Sequence, residues 1–363
     1  MSGPEDLVAS ALSAPAAVRD WPLERWSRLF QQARAAGLFG RIASPSSGCS
    51  WPDAVGGHVE SAQRVYRAQQ EEIRRETGFI RRALADLGAP VVLLKGAAYV
   101  MAGLPAAEGR LFSDIDILVP KAALAQAESM LTLAGWMTTH HSAYDQRYYR
   151  EWMHELPPMQ HVHRQTTIDV HHTILPETAR LHPDPRKLFE AAVPLAGAPG
   201  FHVLGPADML LHSMTHLFMN DDMSHALRDL SDLDRLLRHF GSNDNFWLQL
   251  PPRAAELDLR RPLFYGLRYT AQILGTPVPP HVEAATADWG PPPGLSAVMD
   301  AIWRRALRSP HPSAALPLTG AALFALYLRG HWLRMPPVLL ARHLTIKALR
   351  RPEPSPPSEP PPR

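Results

Sequence analysis

Internal disulfide chemistry is closed to this chain, because its 363 residues include a single cysteine, Cys49. That scarcity fits a reducing compartment. Cys49 ends the run Ser44-Pro45-Ser46-Ser47-Gly48, where no neighbour would activate a thiol, so it reads as a passive loop residue. Net charge is also scarce: 37 Lys and Arg against 35 Asp and Glu leave +2. Such a balance supplies no broad basic field and no strong nucleic-acid signature. Long apolar runs are missing as well. The most apolar late stretch, 314–328, stops at Arg329 and is short of the roughly 20 residues a spanning helix needs. Glu5 and Asp6 stand where a secretory leader would be basic, so no leader and a cytoplasmic location are expected. Proline, by contrast, is plentiful at 37 residues, many of them in loops and in the 352–362 tail, which is expected to be disordered or polyproline-like.

The most informative run is Arg110-Leu111-Phe112-Ser113-Asp114-Ile115-Asp116-Ile117-Leu118-Val119-Pro120. Ile115, Ile117 and Val119 alternate with Asp114, Asp116 and Leu118, which predicts a strand over 111–119 stopped by Pro120. Alternate side chains share a face, so both carboxylates point the same way, with Cα atoms roughly 6.6 Å apart. Carboxylates converging to about 5 Å repel by roughly 3 kcal/mol at an effective dielectric of 20. Aspartate is a poor strand former, so two in one strand need a reason. A divalent cation with oxygen ligands supplies one, and Mg²⁺ suits phosphate chemistry. Asp169, in the later alternating run Thr167-Ile168-Asp169-Val170-His171, is the candidate third carboxylate. The plainer alternative is a polar strand face meeting water. Against it stand Arg110 and Ser113 just upstream, and Lys95-Gly96 closing the apolar strand 90–94 before a helical pattern. A glycine at such a turn lets backbone amides approach phosphate oxygens.

The order Leu93-Leu94-Lys95-Gly96, then Ser113-Asp114-Ile115-Asp116 with Arg110 upstream, then Ile168-Asp169-Val170-His171, resembles the uncharacterised nucleotidyltransferase family of the polymerase-beta-like superfamily. The resemblance covers roughly residues 20–300, with its specific motifs between 93 and 172. It implies an α+β fold, a small mixed sheet flanked by helical regions. It also implies two Mg²⁺ ions and a nucleoside triphosphate, ATP being the first choice, with an acceptor of unknown identity. Asp114, Asp116 and Asp169 would be the catalytic and metal-holding residues, Asp169 also helping to activate the attacking hydroxyl. Lys95, Gly96, Arg110, Ser113 and His171 would border the nucleotide. One departure is Ala97 after the turn glycine, where Ser or Gly is usual. Without a hydroxyl there, Lys95 or backbone amides would hold the phosphate. The alternative is a catalytically inactive nucleotide-binding scaffold on the same fold.

Periodicity divides the chain into an N-terminal helical region (1–88), a strand-rich region (89–205) that the resemblance makes the nucleotidyltransferase core, a C-terminal helical domain (206–350) and the tail (351–363). Leu7, Leu12, Trp26, Leu29 and Phe30 are expected core contacts. A long helix over 58–87 buries Val65, Tyr66, Ile73, Ile80, Leu84 and Leu87, while Glu71, Glu72, Arg74, Arg75, Arg81 and Arg82 face water. Pro206 suits a helix start, and Ser224 is a candidate cap for the next helix, to Phe240. Further helices are expected over 253–274, 294–307 and 315–348. Histidines are numerous at 18. His161, His163, His171 and His172 are read as clustering near Asp169, and His171 as sharing its face. His212 and His216 have two-ligand spacing but lack the Glu of a metalloprotease helix, which favours a structural role. Arg228 and Asp232 read as an i,i+4 pair. The segment 329–351 carries six basic residues and no acidic one, a pattern for docking on its own domain, a partner or an anionic membrane surface.

Overall fold

The computed structural model describes residues 4–139, 146, 149–150 and 152–336. The Pro-rich tail and most of the basic 329–351 segment lie outside the described residues.

The architecture is α+β. Seven strands form one mixed sheet: β1 (Val91–Leu93), β2 (Asp114–Leu118), β3 (Trp136–Thr138), β4 (Met159–His161), β5 (Thr167–His171), β6 (Val193–Pro194) and β7 (Phe201–Val203). Their spatial order is β3-β4-β5-β2-β1-β7-β6. β2 runs parallel to β5 and antiparallel to β1, and β1 runs parallel to β7. β2 is therefore central, and its Ile115, Ile117 and Leu118 are buried. It is shorter than the 111–119 run, because residues 111–113 enter as irregular chain and Phe112 N–H donates to the Gln69 side chain.

Helices flank the sheet on both sides in sequence. The N-terminal segment is helical, with Leu7, Trp26, Leu29 and Phe30 in the core. The long helix spans Gly56–Ala83. Its predicted charged face is exposed, and Ile73 and Ile80 are buried as expected. Val65 is instead 52% exposed, since the first half of this helix packs less closely on the body. Helix Lys95–Met101 packs on both the long helix and β2. The C-terminal helices Pro206–Met219, Ala226–Phe240 and Arg260–Leu274 pack mutually.

Three expectations change here. Pro206 does open its helix, but Ser224 caps nothing; its hydroxyl donates to Asp222 Oδ2 and the next helix begins at Ala226. Helix Asp244–Glu256 runs through Pro251 and Pro252, the pair that hid it from periodicity, and the expected 253–274 helix breaks at Asp258, where φ is +58°. The last described helix is Thr319–Arg334. Its end docks on the body: Arg329 Nη1 donates to the Phe218 carbonyl at 2.7 Å, and the Leu333 carbonyl accepts from Arg180 N–H.

Candidate acidic centre

Asp114 and Asp116 lie on one face of β2. The parallel register sets Asp114 opposite Thr167, Asp116 opposite Asp169, and Leu118 opposite His171. Neighbouring strands are about 4.8 Å apart, so Asp116 and Asp169 stand side by side. Asp116 is buried and Asp114 half-buried. Ser113, just before β2, is exposed; with Asp114, Gln69, Glu72 and Thr167 it lines a cavity of about 140 Å³.

Like charges in a buried space resolve into one ionised and one protonated partner. Burial, reinforced by the Asp116 and Glu155 charges, pushes the Asp169 carboxyl up to about 8. Its Oδ1 is buried and has no hydrogen-bond partner among the described residues. Asp116 goes the other way. Burial works against its charge, yet the Lys95 ammonium and a hydrogen bond from His171 hold it well below the usual carboxylate range. One oxygen takes both contacts: Asp116 Oδ1 lies 3.3 Å from Lys95 Nζ and 3.0 Å from His171 Nε2.

Lys95 sits at the strand-to-helix turn with φ +40°. A left-handed non-glycine residue costs about 1–3 kcal/mol, and such strain gathers at functional positions. The turn therefore strains the lysine and not the glycine after it. Gly96 is required for packing, since a Cβ there would fall 2.5 Å from Arg110 Nη1 and from the Phe112 ring. Arg110 is buried with its Nε donating to Asp232 Oδ2 at 2.7 Å. It is held by the C-terminal helical region instead of standing free for a phosphate. Ala97 is buried.

Other elements complete the surroundings. An isolated antiparallel bridge pairs Glu155 with His171. It brings Glu155 Oε2 to 3.1 Å from His171 Nδ1, and His154 Nε2 lies 3.7 Å from the same oxygen. Burial opposes a charge on His171, but Glu155 and Asp116 together raise its pKa. His171 lies on the face it was read to share with Asp169, and from there engages Asp116 and Glu155; the register makes Asp116 its diagonal neighbour. From the C-terminal region, burial first and then the Lys95 charge lower the pKa of both His212 and His216. His216 Nδ1 lies 3.6 Å from Asp229 Oδ2.

Two sequence groupings dissolve. His161 lies on the opposite face of the sheet from Asp169: its ring meets Trp136 edge-on at 4.9 Å and its Nε2 lies 2.6 Å from Arg164 Nη1. Arg164 also pairs with the buried Glu76 of the long helix at 2.7 Å. Arg228 and Asp232 do not pair. Arg228 turns to its neighbour Asp229 at 2.9 Å, while Asp232 accepts from Arg41 Nη2 at 2.8 Å and from Arg110. Sequence reasoning missed His154, Glu155 and Glu76. Glu76 repeats the helical spacing of Ile73 and Ile80, a usable signal, but His154 and Glu155 lie in irregular chain with no pattern to mark them.

The centre is thus a small mixed sheet with carboxylates on two adjacent parallel strands, beside a strand-to-helix turn. The chain belongs to the family described as uncharacterised nucleotidyltransferase, which matches residues 22–275. Membership supports a general nucleotidyl-transfer role. No curated protein and no solved structure gives a match. Among the described residues, no helix is long and apolar enough to cross a membrane.

Proposed function

We propose that the protein transfers a nucleoside monophosphate from a triphosphate, ATP being the first to test, to an acceptor hydroxyl, with release of pyrophosphate. The observation that carries this reading is the in-register pairing of Asp116 with Asp169, one ionised and one with an unpartnered buried oxygen. An all-carboxylate donor set with such an oxygen fits Mg²⁺. Asp114, Asp116 and Asp169 are the residues that would hold it. Bound there, magnesium would supply charge compensation for the triphosphate and a lowered pKa for the acceptor hydroxyl.

The remaining roles fall to the chain itself. His171 Nε2–H and the Lys95 ammonium fix the Asp116 carboxylate in one orientation. Burial around Asp116 and Asp169 limits water and strengthens every charge interaction there. The acceptor oxygen forms a bond to the α-phosphorus as the bond from that phosphorus to the pyrophosphate oxygen breaks. Asp169 would take the acceptor's proton only as the carboxylate, the form that a bound cation favours over the proton held there when burial and the Asp116 charge act alone.

The test incubates the protein with α-labelled triphosphate, Mg²⁺ and fractionated lysate, and reads the adduct by mass spectrometry. Labelled product and pyrophosphate are expected. Asp114→Asn should abolish both and leave the circular dichroism spectrum unchanged; undiminished turnover would remove the metal assignment. One observation favours a second reading. Lys95 and Arg110 are already paired, and Ala97 offers no hydroxyl, which suits a nucleotide-binding scaffold without turnover. Calorimetric ATP binding with no pyrophosphate released across the acceptor fractions would favour it.

A further inference from the structure

On the Glu155 side of Asp116 lies a donor set of different chemistry. His154, Glu155 and His171 each offer a ligand atom, and the three atoms lie within 4.8 Å of one another. Zinc bonds of about 2.0–2.1 Å in a tetrahedron put neighbouring ligand atoms about 3.4 Å apart. The separations from Glu155 Oε2, 3.1 Å to His171 Nδ1 and 3.7 Å to His154 Nε2, straddle that value.

Hydrogen bonding orients the set. A neutral His171 that donates from Nε2 to Asp116 Oδ1, at 3.0 Å, presents a lone pair at Nδ1. That lone pair faces a carboxylate oxygen at 3.1 Å, an arrangement that either a bound cation or a proton on Nδ1 satisfies. A carboxylate holding the far nitrogen of a histidine is also the usual support of a metal-ligating imidazole. His154 supplies the third donor. Its Nε2 is the nitrogen that faces Glu155 Oε2, and its ring makes no hydrogen bond among the described residues. Two imidazoles and one carboxylate suit a borderline transition ion, whereas the oxygen-only set of Asp114, Asp116 and Asp169 suits Mg²⁺.

We infer that His154, Glu155 and His171 form a second cation site, distinct from the three-aspartate cluster, that takes a divalent transition ion of the Zn²⁺ or Co²⁺ type. The site rests on its donor atoms alone and stands whether or not nucleotides are transferred. Because His171 Nε2–H also holds Asp116, an ion here fixes one of the two Asp116 oxygens.

Metal-free full-length protein titrated with Co²⁺ tests this. The expected result is one equivalent bound, with the intense visible bands of four- or five-coordinate cobalt. The bands should survive excess Mg²⁺ and disappear on addition of Zn²⁺. His154→Ala and Glu155→Gln should each weaken Co²⁺ binding at least tenfold, and Asp114→Asn should leave it within about twofold, by the usual size of ligand and remote effects. X-ray absorption of the zinc-loaded wild-type chain should show two imidazoles on one zinc, a readout that survives even if a variant fails to fold. A weak six-coordinate cobalt spectrum, binding unchanged by both substitutions, or zinc without imidazole scattering would each mean an adventitious ion only, and would overturn the site.

Discussion

Asp169 bears a charge that its surroundings resist. Its folded pKa of about 8 lies above the ordinary value of 3.8. Below the ordinary value the carboxyl is protonated in both the folded and unfolded states, and no penalty exists. As pH rises, the unfolded chain releases this proton first, so stability falls until the folded group also titrates. His171, whose pKa is likewise raised, contributes in the same direction, so a variant comparison is needed to isolate Asp169. Metal-free Asp169→Asn should melt higher than wild type at about pH 9, with the gap closing towards about pH 4. Mg²⁺ should narrow the gap at high pH by stabilising the wild-type carboxylate. Equal melting temperatures across the range would show that the 169 carboxyl is not resisted by its neighbours. The identity of this residue as a candidate was legible from its alternating run, but its protonation state was not. That depends on the distance to Asp116, 53 residues away in sequence, which the strand register alone sets.

At the scale of elements, the helix Ala226–Phe240 anchors the core through Asp232. Its carboxylate, 4% exposed, receives Arg41 from the N-terminal region and Arg110 from the approach to β2. Asp232→Asn would leave two buried guanidiniums without the carboxylate they both hydrogen-bond. Breaking a buried pair by removing one partner typically costs about 3–5 kcal/mol. Urea unfolding should show a loss of that order, and a loss below about 1 kcal/mol would mean the bridges are incidental. Helical spacing suggested Arg228 as the partner, an exposed pair worth a few tenths of a kcal/mol. Spacing identifies which residues are neighbours on one helix. It carries no information on Arg41, 191 positions away in sequence, which outcompetes a local partner because it is fully buried beside the same carboxylate. The Lys95 turn makes the same point. A strand ending in Lys-Gly was readable, yet the left-handed residue is the lysine, because Gly96 is consumed by its contact with Arg110 and Phe112.

For the whole molecule, one hydrophobic cluster runs from Leu7 to Leu326 and joins the N-terminal helices, the sheet and the C-terminal helices. The divisions read from the sequence at 88/89 and 205/206 both fall within the span of chain that this cluster joins. Calorimetry should accordingly give one transition whose calorimetric and van't Hoff enthalpies agree. Two resolved transitions would establish that the C-terminal helical region melts separately, and would make the Asp232 bridges an interface between independent units. The histidines behave at this scale too. His161 and His171 are only ten positions apart, yet they occupy opposite faces of the sheet, while His212 and His216 arrive from the far region to face Lys95.

Alternation and helical period by themselves determined the acidic strand and which side chains share a face, because those properties depend only on local geometry; the α+β class was read from the family resemblance. The assembly of the centre was decided by tertiary structure. Parallel pairing of β2 with β5 set Asp169 against Asp116, an isolated bridge delivered Glu155 to His171, and a buried helix withdrew Arg110 from the ligand side. The physical reason is range: backbone dihedrals repeat over a few residues, whereas charges and hydrogen bonds act between whatever atoms the packed chain brings within a few ångströms.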